Sequence, residues 1–141
     1  MQDIILWMYL IMGSIWDLKE RVIPVRLCVA ALVGLAIEGA FGGDLFTAEK
    51  MAGMLIGVIL CVISRVTEGQ VGEGDGITFL ISGLAVGFWE NFLLLFDALS
   101  LSFIWSVGCL VRKKMSMQSR MPFVPFVLAA FGLRSMLAYY G

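Results

Sequence analysis

The segment Gly72-Glu73-Gly74-Asp75-Gly76 places an aspartate, framed by glycines, between two long apolar stretches of the chain. An ionisable residue at the edge of a membrane span is costly to keep there, and such residues generally mark functional sites. A second aspartate, Asp17, follows another apolar stretch near the amino terminus. Two carboxylates brought together at a membrane face are the minimal equipment of an aspartic protease. This pair is therefore the first hypothesis for a site.

The composition of the chain is that of an integral membrane protein. Hydrophobic residues make up 60% of the chain, charged residues make up 15%, and the mean hydropathy is +0.95. Ordinary soluble domains are about 45–50% apolar and about 25% charged. We predict a single integral-membrane domain over residues 1–141, with membrane lipid as its surroundings. No tract of basic residues indicates nucleic-acid binding.

Apolar residues fall into six segments, and the connections between them carry most of the charge. The segments run over Ile4–Trp16, Val25–Phe41, Met51–Val66, Ile77–Phe88, Phe92–Val111 and Phe123–Tyr140. A membrane-spanning helix needs about 20 predominantly apolar residues, so we predict an all-α polytopic bundle of about six transmembrane helices. The first segment lacks the features of a cleaved secretory signal, and we expect a retained helix that continues through Asp17 toward Lys19. The fourth and fifth helices are predicted to be joined at Trp89-Glu90-Asn91.

The distribution of basic residues predicts the orientation in the membrane. Connections one, three and five and the segment ends beside them hold Lys19, Arg21, Arg65, Arg112, Lys113, Lys114 and Arg120. Because cytoplasmic loops carry an excess of lysine and arginine, we expect these connections in the cytoplasm and both termini outside. Asp17 and Asp75 then lie on the same, cytoplasmic face.

The residue types in the sequence exclude several kinds of catalytic site. The sequence contains no histidine, which excludes serine–histidine and cysteine–histidine nucleophiles and the H-E-x-x-H zinc site. The cysteines at 28, 61 and 109 lie singly in apolar segments and form no C-x-x-C pair. We therefore expect neither a metal nor another cofactor, and carboxylates remain as the acid–base groups.

An aspartic dyad has a clear physical basis. Two carboxylates about 3 Å apart cannot both ionise, so they share one proton and their pKa values split. The ionised carboxylate takes a proton from a water molecule, and the protonated one donates to the scissile carbonyl. We predict Asp17 and Asp75 as this catalytic pair, with pKa values raised by the low dielectric at the membrane edge.

The glycines around Asp75 fit two interpretations. Gly72, Gly74 and Gly76 permit backbone angles closed to other residues, and their missing side chains let a substrate backbone approach closely. An ordinary interhelical turn also favours glycine. The position between apolar segments, with Asp17 on the same face, favours the site.

Three further carboxylates have simpler interpretations. Glu68 and Glu73 are near Asp75 and could contact a substrate, but solvated loop charge is favoured. Asp97 lies inside the fifth apolar segment, where a hydrogen bond between helices is favoured over a catalytic role.

Three blocks of sequence resemble type IV prepilin peptidases, in that family's order and across essentially the whole chain. Residues 17–24, Asp-Leu-Lys-Glu-Arg-Val-Ile-Pro, are similar to the D-x-x-x-x-x-I-P stretch after the family's first catalytic helix. Residues 72–75, Gly-Glu-Gly-Asp, match its G-x-G-D signature. Residues 121–129, Met-Pro-Phe-Val-Pro-Phe-Val-Leu-Ala, resemble the segment that opens its last helix. The compact form is most similar to peptidases that serve Flp/Tad-type pili.

The resemblance implies an intramembrane aspartic endopeptidase that removes leader peptides from pilin or pseudopilin precursors at the cytoplasmic face of a prokaryotic membrane. It implies Asp17 and Asp75 as the catalytic residues, and structural roles for Pro24, Pro122 and Pro125 where helices begin. Larger relatives carry an insert with paired C-x-x-C motifs and N-methylate the mature pilin. The 141 residues have no room for this zinc-binding or methyltransferase insert, so we expect peptidase activity alone.

Departures from the family pattern leave alternatives open. Val25 stands where many members have asparagine, Ile77 where a lysine is common, and Val124 in place of a glycine. A catalytically inactive scaffold of a pilus or secretion assembly is one alternative. A small proton-coupled carrier using Asp17 and Asp75 is less favoured, because no internal repeat is visible. The precursor and the oligomeric state stay open.

Overall fold

Helices make up nearly all of the described chain. The structure, a computed structural model, describes residues 2–44, 47–68, 72–112 and 121–141. These ranges contain six α-helices and no strand, which confirms the all-α prediction. The helices are α1 (Gln2–Glu20), α2 (Val25–Gly42), α3 (Ala48–Val66), α4 (Glu73–Val86), α5 (Phe88–Val111) and α6 (Val124–Tyr140). The predicted cytoplasmic residues Lys113, Lys114 and Arg120 lie outside the described residues.

The connection between α1 and α2 is short. α1 continues past its apolar segment through Asp17, as expected, and ends at Glu20. Arg21 has a left-handed backbone with φ 54°, which stops the helix. Pro24 is extended, with φ −66° and ψ 129°, and immediately precedes α2. Because proline disfavours a helical conformation in the residue before it, the chain stays non-helical up to Pro24. The resulting short turn places the Asp17 end of α1 beside the start of α2.

The break between α4 and α5 lies at Gly87, so the predicted connection at Trp89-Glu90-Asn91 is wrong. Gly87 has φ 83°, a conformation that strongly favours glycine, and this single residue separates the two helices. Trp89, Glu90 and Asn91 belong to the first turn of α5.

Asn91 is a polar link between three helices. Its side chain is fully buried, and its Oδ1 accepts a hydrogen bond from Ser82 Oγ at 2.6 Å. Its Nδ2 donates to the carbonyl oxygens of Gly53 at 3.0 Å and Phe79 at 2.9 Å. A buried amide with these partners ties α5 to α3 and α4 and leaves little of its hydrogen-bonding capacity unmet.

α4 lies at the centre of the bundle and contacts α1, α2, α3 and α5. It contributes no large exposed apolar side chain, whereas each of the other five helices does. Its approach to α3 depends on small residues. An added Cβ at Gly57 would clash with the backbone of Leu80, and one at Gly83 would clash with the backbone of Gly53. The missing side chains bring the two helix backbones into direct contact.

The outer surface of the bundle is strongly apolar. Large apolar side chains are exposed on α1, α2, α3, α5 and α6. By length and composition, α2 and α5 could each cross a membrane, and α6 is a shorter apolar helix. The described part of the chain therefore confirms six helices, whereas six membrane spans remain a prediction.

We expect Gly57→Ala to lower the thermal midpoint of the purified protein in detergent. The added methyl group meets the Leu80 backbone, which cannot move aside as a flexible side chain could, and such overpacking costs about 1–3 kcal/mol. The control is Gly108→Ala on α5, where an added Cβ meets no atom of the described residues within 4 Å. Equal midpoints for the two variants would contradict the close α3–α4 contact.

Candidate active site

Asp17 and Asp75 lie at the same end of the bundle. Asp17 is in the last turn of α1, Asp75 is in the first turn of α4, and both line one cavity of about 1050 Å³. Other walls come from the α1–α2 connection, the adjoining ends of α2 and α3, the middle of α5, and the residues just before α6. Small-molecule pockets are commonly about 300–1,000 Å³, so this cavity has room for a segment of peptide.

Asp17 is held by the start of α6. Its side chain is buried, and its Oδ2 accepts a hydrogen bond from the backbone N–H of Val124 at 3.1 Å. The backbone N–H of Phe123 also donates to this carboxylate. The first N–H groups of a helix have no partner within the helix and carry partial positive charge. Pro122 and Pro125, which have no N–H, flank the two donors.

Asp75 occupies the third position of α4 and is half-buried. Its carboxylate accepts a hydrogen bond from the backbone N–H of Gly72, the residue that precedes the helix. An acidic residue that reaches back to the N-cap N–H in this way stabilises the start of a helix. The G-x-G-D segment is therefore a helix start, and the third position of the helix directs the carboxyl into the cavity.

The two carboxyls have different electrostatic environments, and both lie outside the apolar segments at 4–16 and 77–88. Burial raises the pKa of Asp75 to about 7, the negative charge of Asp17 adds to the rise, and the Gly72 N–H opposes it. Burial also raises the pKa of Asp17, but the N–H groups of Val124 and Phe123 and the charge of Arg21 oppose that rise. When the two carboxyls hold one proton between them, that proton is therefore favoured on Asp75.

The three glycines around Asp75 do not supply the unusual backbone angles that were expected of them. Gly72, Gly74 and Gly76 all lack a positive φ, so none needs a backbone angle closed to other residues. An added Cβ at Gly76 would lie 2.5 Å from Cys61 Sγ on α3, and one at Gly74 would lie 3.1 Å from Ile23 Cδ1. Their missing side chains make room for neighbouring parts of this chain.

Other charged residues nearby are more exposed. Glu68 and Glu73 line the cavity and are exposed, in keeping with solvated charge. Arg65 Nε lies 4.0 Å from Glu73 Oε1, and a pair this exposed contributes little. Asp97 lies outside the cavity, where its Oδ2 accepts a hydrogen bond from Arg134 Nη1 at 3.3 Å. This bond between α5 and α6 confirms the helix–helix interpretation of Asp97.

Two buried hydroxyl groups lie beside the site and belong to none of the sequence motifs. Tyr9 on α1 and Thr78 on α4 are both buried, and their oxygens lie 3.0 Å apart. One feature of the sequence could have indicated each of these residues. A tyrosine within an apolar segment needs a partner for its hydroxyl when buried, and Thr78 follows Asp75 by one helical turn.

Comparison with known proteins identifies the family. A family model described as the type IV leader peptidase family matches residues 4–111, which is more than half of the chain. The chain belongs to this family. No curated protein and no solved structure matches it. The matched region contains Asp17, Asp75, all of α2 to α5 and all but the first two residues of α1.

The raised pKa of Asp75 predicts a pH-dependent stability. Since its folded-state pKa of about 7 exceeds the ordinary value of 3.8, the folded chain binds more protons than the unfolded chain between these values. This contribution is fully present below the lower value and is lost as pH rises through about 7. We expect the thermal midpoint in detergent to fall over that interval.

Asp75→Asn should flatten most of this fall and raise the midpoint above that of the wild type at pH about 8, because asparagine never ionises. Glu73→Gln, on the same helical turn but with an exposed side chain, should keep the wild-type slope. A full wild-type slope in Asp75→Asn would show that another group causes it.

Proposed function

We propose that this member of the type IV leader peptidase family is an aspartic endopeptidase in which Asp17 and Asp75 form the catalytic pair. The shared cavity carries the proposal, because both carboxyls line it from two different helices. Family membership supports the reaction class, hydrolysis of a leader peptide. The absence of histidine leaves carboxylates as the acid–base groups.

In the proposed mechanism Asp17 is the ionised base and Asp75 is the protonated acid. Two backbone N–H groups stabilise the charge of Asp17, whereas burial and that charge keep a proton on Asp75. Asp17 takes a proton from water as the water oxygen bonds to the scissile carbonyl carbon. Asp75 donates its proton to the carbonyl oxygen, which gives a neutral diol.

Collapse of the diol completes the reaction. The C–N bond breaks, Asp17 gives its proton to the leaving amine, and Asp75 takes back a proton from one diol hydroxyl. Both carboxyls thus return to their starting states. The positions of the two groups in one cavity would supply much of the rate by orienting water and peptide.

The proposed substrates are pilin or pseudopilin precursors, whose leader precedes an apolar helix. Much of the cavity lining is apolar, and apolar surface surrounds the bundle, which suits a lipid-embedded substrate. We assign the site to the cytoplasmic face of a prokaryotic membrane, with both termini outside. Arg21 and Arg65 line the cavity, and basic residues mark the cytoplasmic side.

Cleavage should require both aspartates. Co-expressed with a pilin-like precursor, the wild type should shorten it, as judged by immunoblot and amino-terminal sequencing. Asp17→Asn and Asp75→Asn should each slow cleavage about 100-fold or more, since each removes an acid–base group. Glu73→Gln, which changes an exposed carboxylate of the same cavity, should cleave at the wild-type rate.

The same assay separates the alternatives. Cleavage that survives either aspartate substitution would rule out the dyad. A wild type that leaves every tested precursor intact would favour the inactive scaffold.

The rate of cleavage should follow a bell-shaped pH profile. The alkaline limb should lie near pH about 7, where Asp75 loses its proton, and the acid limb should follow protonation of Asp17. Arg21→Gln should move the acid limb to higher pH, because the Arg21 charge lowers the pKa of Asp17. Rates that rise steadily through pH 7 would contradict the assigned roles.

A further inference from the structure

We propose that Tyr9 and Thr78 are positioning residues that fix Asp75 relative to Asp17 through a hydrogen bond between α1 and α4. This inference rests on the proposed function. The Tyr9 hydroxyl oxygen lies 3.0 Å from Thr78 Oγ1, and the two side chains are only 2% and 0% exposed. Neither residue belongs to the motifs that resemble the family.

The hydrogen bonds of this network have one consistent direction. Thr78 Oγ1 donates to the carbonyl oxygen of Gly74 at 2.8 Å, which uses its only proton. Tyr9 must therefore donate to Thr78, and the Tyr9 oxygen can accept from the thiol of Cys28, whose sulfur lies 3.8 Å away. Cys28, Tyr9, Thr78 and Gly74 thus form a chain of donors that ends on a backbone carbonyl, with every hydroxyl proton satisfied.

The two ends of the Tyr9–Thr78 bond lead to the two aspartates. The Gly74 carbonyl belongs to the peptide unit whose nitrogen is that of Asp75. Thr78 follows Asp75 by one turn of α4, and Tyr9 precedes Asp17 by about two turns of α1. A single buried hydrogen bond therefore couples α1, which carries Asp17, to the peptide unit of Asp75.

The Tyr9–Thr78 hydrogen bond should affect catalysis, because a catalytic pair is sensitive to the distance between its two carboxyls. A displacement of about 1 Å at a reacting group can cost about 100-fold in rate. The effect of one carboxylate charge on its neighbour's pKa also falls as the two move apart. Loss of the bond should therefore lower kcat and move the alkaline limb of the pH profile to lower pH, because Asp75 would lose part of the influence of Asp17.

The other charges around the pair do not depend on this bond. Among the residues that the structure describes, the other titratable and charged side chains that line the cavity are Arg21, Cys28, Arg65, Glu68 and Glu73. The middle of α5 and the residues before α6 contribute apolar side chains. Substitutions that remove only the Tyr9 or Thr78 hydroxyl leave all of these charges in place, so a changed pH profile reports the geometry of the two aspartates.

The test measures kcat, KM and the pH profile of precursor cleavage by the full chain in detergent. Tyr9→Phe and Thr78→Val remove the hydroxyl groups, and Thr78→Ser keeps one. The matched control is Ser82→Ala, which removes a buried hydroxyl from the same helix, one turn farther from Asp75, where Ser82 bonds to Asn91. Thermal midpoints are recorded for every variant, so that loss of folding is distinguished from loss of rate.

Tyr9→Phe and Thr78→Val should each lower kcat about tenfold or more with little change in KM, and each should shift the alkaline limb downward. The double variant Tyr9→Phe/Thr78→Val should resemble Thr78→Val alone, because both substitutions remove the same hydrogen bond between the two side chains. Thr78→Ser should restore the wild-type profile, and Ser82→Ala should lower the thermal midpoint without moving the limb.

Three results would overturn the inference while the proposed function stands. These are a Tyr9→Phe variant with wild-type kcat and pH profile, a double variant whose losses multiply, or a Ser82→Ala variant that shifts the limb equally. Failure of the wild type to cleave any precursor would instead overturn the proposed function, and the inference with it.

Discussion

The contact between α3 and α4 is the constraint on which the rest of the structure depends. Gly53, Gly57, Gly76 and Gly83 bring the two backbones so close that added side chains would clash. α4 can then occupy the centre of the bundle, although its 14 residues are too few to cross a bilayer unaided. Its buried hydroxyl groups bond to side chains of α1 and α5, so the position of the helix is fixed on several sides.

The same central position accounts for the unequal environments of the two carboxyls. Asp75 begins a helix that is enclosed by its neighbours, so desolvation dominates and favours the protonated form. Asp17 lies in the last turn of α1, where burial also raises its pKa but backbone N–H groups at the start of α6 oppose the rise. The pKa values of two aspartates with similar intrinsic acidity are thereby separated, although burial raises both. That separation is what an acid–base pair requires.

The sequence predicts the helices well because apolar segments and charged connections are local signals. The extension of α1 through Asp17 and the helix-to-helix bond of Asp97 follow from the same reasoning. The break at Gly87 does not, because Asn91 looks like a loop residue until its partners on α3 and α4 are known. The role of Gly76 likewise depends on which helix packs against it, and a single sequence does not contain that information.

The departures from the family pattern are compatible with a working dyad on physical grounds. Val124 contacts Asp17 through its backbone N–H, which is present whatever the side chain, so replacing glycine there preserves the bond. Ile77 leaves α4 without the lysine that is common in relatives. The pKa of Asp75 is set by burial, the Asp17 charge and the Gly72 N–H. A lysine two residues away would add positive charge and lower that pKa. Isoleucine therefore helps keep the proton on Asp75, where the proposed acid needs it.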